Sequence, residues 1–176
     1  RPISSAASDV YKRQEIRIVN EEGKEVEVGQ IGTIELKGEN IFKGYWGMEE
    51  KTKESFKDDG FFITGDLAKK DENGYFTIVG RDKDMIISGG LNVYPKEIED
   101  VINELPNITE SAVFGVQHDD FGEAVVAAVV TTDDKNDGSQ ILDYTKDKIA
   151  KYKQPKKIIF LSILPRNSMG SVQKNK

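Results

Sequence analysis

The sequence predicts an α+β protein in two parts. A small β-barrel-type subdomain comes first, and a compact C-terminal α+β domain follows, with helices covering a mixed three-stranded sheet. Three observations predict this. Residues 15–80 break into short apolar-alternating stretches separated by glycine turns, the period of half-buried strands. Beyond Gly80-Arg81 come the near-continuous β-branched runs SAVFGV and AVVAAVV, the mark of strands covered on both faces. Stretches of helical period lie on either side of those runs, giving the order strand, helix, strand, strand, helix, strand.

Residues 1–13, RPISSAASDVYKR, have no apolar periodicity and are set aside as a non-native head. EIRIV alternates, NEEGKEV turns, GTIELKG alternates again, and NIFKGYW carries aromatics between glycines. GMEEKTKESF reads as a short helix or turn. GFFITGDLAKKDENGYFTIVGR is a hairpin with its turn at Asn73-Gly74. Residues 14–80 thus read as small β-barrel or sheet material, and residues 81–176 form a separate α+β domain. GRDKD is the joint between them and a candidate hinge.

In the second part DMIIS is a short strand followed by Gly89-Gly90. Pro95 opens a helix, and Ile98, Val101, Ile102 and Leu105 fall at i, i+3, i+4 and i+7 on one apolar stripe that Pro106 ends. Ser139 is the expected N-cap of a second helix, with Ile141, Leu142, Ile149 and Tyr152 inward, and Pro155 stops it. KIIFLSIL is the last strand.

Composition excludes several functions. The chain has 176 residues, 37% hydrophobic and 32% charged, with a net charge of −6, which argues against a nucleic-acid binder. It has no cysteine and a single histidine, His118, so thiol catalysis, disulfides and Cys- or His-rich metal sites are out. No apolar run approaches the roughly 20 residues of a membrane span, and no signal peptide is read, so a cytoplasmic protein is expected. Charge is uneven: residues 146–176 carry nine Lys/Arg against Asp147 alone, a net of +8 that leaves −14 elsewhere. Such a stretch is either a solvated helix face with a basic tail or a surface for the phosphates of a small ligand.

Thr64-Gly65-Asp66 follows an apolar strand, and Arg81 closes the next one. A carboxylate at a strand end beside a glycine suits the vicinal hydroxyls of a ribose. If the two strands pair, Asp66 and Arg81 face the same sugar; the alternative is a surface ion pair worth little. Gly89-Gly90 supplies either unusual backbone angles or close approach to a narrow ligand, or it is a plain loop before a helix. No GxxxxGK[ST] or GxGxxG occurs, so the chain has no phosphate-cradling loop of its own. His118 has no nucleophile motif near it and reads as an exposed loop residue.

The ordered motifs GYW, GFFITGDLAKKDENGYFTIVGRDKDMIISGGLNVYPKEIE, SAVFGV, FGE, KYKQPKKIIFL and LPRNSMG resemble the AMP-forming acyl-CoA synthetases, part of the adenylate-forming group. The resemblance runs from about residue 15 to 176, and in detail it looks most like the malonyl-CoA synthetases. It implies that a carboxylic acid attacks ATP to give acyl-AMP and pyrophosphate, and that coenzyme A then takes the acyl group. It implies Mg2+ and most of the ATP and acyl contacts on a large N-terminal domain missing from this sequence. It also implies a small C-terminal domain that swings between two poses. Asp66 and Arg81 would bind the ribose of ATP, Lys83 would occupy the hinge position, and Gly89 and Gly90 would line the coenzyme A channel.

One position departs from the family. Directly after Gly170 the family has a lysine that reaches the α-phosphate and acyl carboxylate; here it is Ser171. Lys174, three residues on, would face the other side of an extended segment. Losing one preorganised donor costs about 10²–10³ in rate, so adenylation is expected to be crippled while transfer of preformed acyl-AMP to coenzyme A persists. Alone, the chain is expected to be inactive. Two other readings stay open: a standalone non-catalytic module for coenzyme A or a nucleotide, and an adenylation domain loading a carrier protein. Phe42, Tyr45, Trp46, Phe61 and Phe62 are expected to be left exposed on residues 15–80.

Overall fold

The computed structural model describes residues 14–133 and 137–174. The head at residues 1–13 and Lys176 of the basic tail lie outside the described residues. The chain divides into two compact units between Asp82 and Lys83.

In the first unit β1 (Gln14–Val19), β2 (Ile31–Gly38), β3 (Phe62–Lys70) and β4 (Phe76–Arg81) form an antiparallel meander in chain order. The expected barrel is an open sheet instead: among the described residues β1 and β4 do not pair. Closure around a filled interior takes about eight strands. Alternation puts Ile18, Ile34 and Ala68 together on one face, with Ile16, Val26 and Leu36 around them. Helix α1 (Glu49–Ser55) buries nothing; Glu49 and Glu50 at its start and Lys53 at its end complement its dipole.

Between the strands sits a charge. Glu35 is only 1% exposed and lies opposite Arg17 in the β1–β2 register. Arg17 Nε donates to Glu35 Oε2 at 2.7 Å, a second guanidinium nitrogen donates to Asp59 at 2.8 Å, and the guanidinium lies 3.7 Å over the Phe61 ring. Burial pulls the Arg17 pKa down, but the bonds to Asp59 and Glu35 prevail and hold it above its ordinary value. Phe61 is therefore buried under Arg17, and Phe62 packs with Phe42 and Phe56 at 5.0 and 5.3 Å. Of the five aromatics expected to be exposed, Phe42, Tyr45 and Trp46 are.

The second unit holds β5 (Ile86–Ser88), β6 (Leu91–Val93), β7 (Ile108–His118), β8 (Gly122–Thr131) and β9 (Lys157–Phe160), with α2 (Pro95–Ile102) and α3 (Ser139–Lys146). The sheet is mixed, as expected, because β9 runs parallel to β8 while β7 runs antiparallel to it. It has five strands rather than three: β5 and β6 form a hairpin whose only registered pair with β8 is Ser88↔Gly122. β5 is the strand read in DMIIS, and β6, at three residues, is too short to show a period in sequence. Val125, Ala127 and Val129 meet Ile98, Ile102, Ile141 and Ile149 in one core. Ala128 and Ala112 pack against Leu164 on the other face, so β8 is covered on both.

One helix starts as the sequence indicates, the other has its N-cap one residue before the expected Ser139, and both stop earlier than expected. Pro95 is the first residue of α2, which ends at Ile102, before Pro106. Gly138, at φ 88°, holds the N-cap position of α3, and Ser139 is its first residue. Asp137 Oδ1 accepts the Ser139 amide at 2.9 Å and the Ser139 hydroxyl at 2.6 Å, which lowers its pKa. Tyr152 lies beyond α3 in a 3-10 turn and is exposed, not inward, whereas Ile149 is buried.

Candidate functional site

Strands β3 and β4 do pair, and their register sets Asp66 opposite Arg81. Arg81 Nε lies 3.1 Å from Asp66 Oδ1. The side chains are 33% and 58% exposed, so the pair adds little to stability. Its approach is shaped locally. The Thr64 hydroxyl donates to Ile34 O at 2.9 Å and accepts the Asp66 amide at 3.0 Å, fixing the strand just before the carboxylate. Gly65 has φ 73°, and a bulge follows between Leu67 and Ala68. A carboxylate that accepts beside a guanidinium that donates can bind two adjacent hydroxyls at once.

Lys83 is exposed in a 3-10 turn, Asp82–Asp84, at the boundary of the two units. Gly89 and Gly90 form the two-residue turn of the β5–β6 hairpin, closed by the Ser88↔Leu91 pair, with φ of 59° and 77°. Positive φ at both central positions is what a type I′ turn demands. A Cβ on either glycine meets nothing within 4 Å. Within this unit, then, backbone angle rather than crowding requires glycine.

Ser171 sits on a terminal hairpin. The Asn167 side-chain oxygen accepts the amides of Met169 and Ser171 at 3.0 and 2.9 Å, and the Asn167 amide donates to Ser171 O at 2.9 Å. Arg166 donates to Gly170 O at 2.7 Å and to Glu110 Oε2 at 2.8 Å. Arg166 and Val172 pair across the hairpin. Val172 packs on the Ala112, Ala128 and Leu164 cluster, whereas Ser171 is exposed. Lys174 pairs with Glu99 Oε1 at 2.6 Å, so its ammonium is already engaged by a carboxylate of α2. Asn167 is the anchor that sequence reading passed over; Asn-x-x-Gly was its signal.

Most of the basic stretch is taken up internally. Lys146, Lys148, Lys153, Arg166 and Lys174 pair with Asp143, Glu104, Glu97, Glu110 and Glu99. Among the described residues Lys151, Lys156 and Lys157 make no ion pair; Lys156 lies 5.6 Å over the Phe121 ring. His118 is exposed at the end of β7, its Nδ1 accepting the Asp120 amide at 3.2 Å. No group of three or more His, Asp or Glu among the described residues is placed to hold a metal ion. No helix among them is long and apolar enough to cross a membrane.

The geometry brings Asp66 and Arg81 into contact and puts the glycine pair and Ser171 on two separate turns of the second unit. Residues 97–170 match the family model for the AMP-binding enzyme C-terminal domain. The second unit therefore contains an AMP-binding enzyme C-terminal domain. The chain is 42% identical over 161 residues to an indoleacetate–CoA ligase of Aromatoleum aromaticum, covering 91% of this chain and 31% of that protein. It is 56% identical to ATP-bound MatB from Rhodopseudomonas palustris, with a TM-score of 0.87 over 93% of this chain and 33% of that one. The o-succinylbenzoate CoA synthetase of Bacillus subtilis, in complex with its acyl-adenylate, is 35% identical with a TM-score of 0.87, over 93% of this chain and 33% of that one. The chain spans about one third of the length of the relatives it matches.

Proposed function

We propose that this chain is the C-terminal portion of an AMP-forming acid–thiol ligase. The parent protein would activate a carboxylic acid as acyl-AMP and transfer it to coenzyme A. The observation that carries the reading is the Asp66–Arg81 pair, set across β3 and β4 at 3.1 Å, in a chain 56% identical to an ATP-bound relative. Asp66 would accept from the ribose hydroxyls of ATP and Arg81 would donate to them. Lys83 is assigned to the hinge and the Gly89–Gly90 turn to the coenzyme A channel. Among the described residues no cluster of carboxylates or histidine is placed to hold Mg2+, and the ion would be held by the rest of the parent protein, as the family resemblance implies. Malonate is the favoured acid, on the strength of the motif detail around Thr64-Gly65-Asp66 and of the identity to MatB. The domain limits read as 14–80 and 81–176 shift by two residues to a proposed boundary between Asp82 and Lys83, because β4 keeps Arg81 in the first unit, and the expected compartment is the cytoplasm.

Position 171 divides the two half-reactions. A hairpin held by Asn167 and Arg166 presents its side chain outward, and a serine hydroxyl there cannot offset charge developing on an α-phosphate. Lys174, bound to Glu99, does not replace the missing cation. Adenylation should be slow, and transfer from preformed acyl-AMP to coenzyme A should proceed.

The test is a graft of residues 14–176 onto the complementary two thirds of MatB, with synthetic malonyl-AMP and coenzyme A supplied. Thioester and AMP should form, and Asp66→Ala should raise the apparent KM for ATP in the overall reaction by about tenfold, the worth of one charge-assisted bond. A folded graft that makes no thioester from acyl-AMP would contradict the reading. Tight binding of coenzyme A by the chain alone would favour a standalone module instead, and transfer only to a carrier protein would favour a carrier-loading domain.

A further inference from the structure

The β5–β6 hairpin that carries Gly89 and Gly90 is joined to the sheet by very little backbone: one registered pair, Ser88↔Gly122, and one bond, Gly89 N–H to Phe121 O at 2.8 Å. Because Ser88↔Leu91 closes the turn, Ile87 stands at the next, non-bonded position opposite Asn92. Its N–H therefore points away from β6, toward β8. A β8 carbonyl would satisfy it if that ladder continued, but the ladder has no further pair.

A side chain satisfies it instead. Glu123 Oε2 accepts the Ile87 N–H at 2.7 Å. Glu123 reaches it by lying across β7 at Gly115, which has no side chain to obstruct it. A Cβ on Gly115 would sit 2.8 Å from Glu123 Cδ and nearer still to Oε1, and 3.1 Å from Ile86 Cγ2. Gly115 does not have a positive φ, so backbone angle does not explain the glycine. The room needed by the Glu123 side chain does.

We propose that Glu123, with Gly115 beneath it, is the positioning residue of the Gly89–Gly90 turn. One charge-assisted bond holds the free edge of β5 and so fixes where the turn lies relative to β8. Any consequence for coenzyme A rests on the proposed function; the positioning itself does not.

The experiment uses the full chain and records amide exchange by NMR for the wild type and three variants. Glu123→Ala should speed exchange of the Ile87 and Gly89 amides by about tenfold or more, as loss of a charge-assisted acceptor implies. Glu123→Gln keeps an acceptor and should retain most of the protection. Gly115→Ala should reproduce Glu123→Ala at Ile87, and the double variant should add nothing further, because both remove the same bond. Amides of Val125 and Val129 serve as the control for folding. Unchanged Ile87 exchange in Glu123→Ala, or independent and additive effects of the two substitutions, would overturn the proposal. Titration with coenzyme A then separates the two ideas. Shifts at Gly89 and Gly90 that weaken in Glu123→Ala support a role for the positioning in binding. Absence of such shifts in the wild type counts against the coenzyme A reading, while the exchange result still decides the role of Glu123.

Discussion

The two units are held together differently. The second has a continuous apolar core: Ile86, Val93, Ile98, Ile102, Val113, Val125, Ala127, Val129 and Ile141 are 0–1% exposed and meet in one cluster. The first has a three-residue apolar cluster, a buried carboxylate clamped by Arg17, and aromatics of which Trp46 is fully exposed. Hydrophobic burial is non-directional and tolerant, whereas a buried ion pair depends on every partner. The difference teaches that the second unit is built to stand alone. The first carries Asp66 and Arg81 on a sheet whose outer surface is only partly covered.

The comparison is tested most forcefully in the core. Ile98→Ala should destabilise the second unit by about 3–4 kcal/mol, the usual cost of emptying a buried isoleucine site. Urea unfolding followed at amides of each unit should show the loss in the second alone; loss in both would mean that they unfold as one. Arg17→Ala comes next. It leaves Glu35 buried with only Lys57 nearby, at 3.8 Å, and should cost the first unit about 2–3 kcal/mol, below the full value for a broken buried pair because Arg17 itself is partly solvated. An unchanged midpoint would show that the charge cluster contributes nothing.

Smaller effects follow on the surface. Asn167→Ala removes the acceptor of two amides and should raise exchange at Met169 and Ser171 by about fivefold to tenfold without moving global stability. A global shift would make the terminal hairpin part of the core. The smallest effect is electrostatic. The Lys148 and then the Tyr144 hydrogen bonds hold the Glu104 carboxyl below its ordinary value of about 4.3. A carboxyl lowered in the folded state contributes stability above its unfolded pKa and loses it as pH falls through the folded one. The wild type should therefore lose more stability than Glu104→Gln below about pH 4. Parallel acid profiles would remove Glu104 from the account.

Long, periodic features were legible in the sequence and short, cross-chain ones were not. The α2 stripe and the β7 and β8 runs could be read because burial repeats there over 8–11 residues. The pairing of Asp66 with Arg81 was a conditional expectation that the β3–β4 register met. DMIIS was legible as the strand β5, whereas β6 escaped because three residues have no period, and the glycine pair between them is a turn first. Nothing in the alternation of GTIELKG marks Glu35 as buried; its cross-strand neighbour Arg17 makes its burial tolerable. Asp137 rather than Ser139 satisfies the start of α3, a choice between two capping residues flanking Gly138 that sequence does not distinguish.

The most direct test of the central claim is at position 171. In the graft onto MatB, pyrophosphate release and thioester formation from supplied acyl-AMP would be measured for the Ser171 and Ser171→Lys proteins. The account predicts that lysine raises pyrophosphate release by about a hundredfold or more and leaves the second half-reaction nearly unchanged. Comparable pyrophosphate release from the two proteins would contradict it.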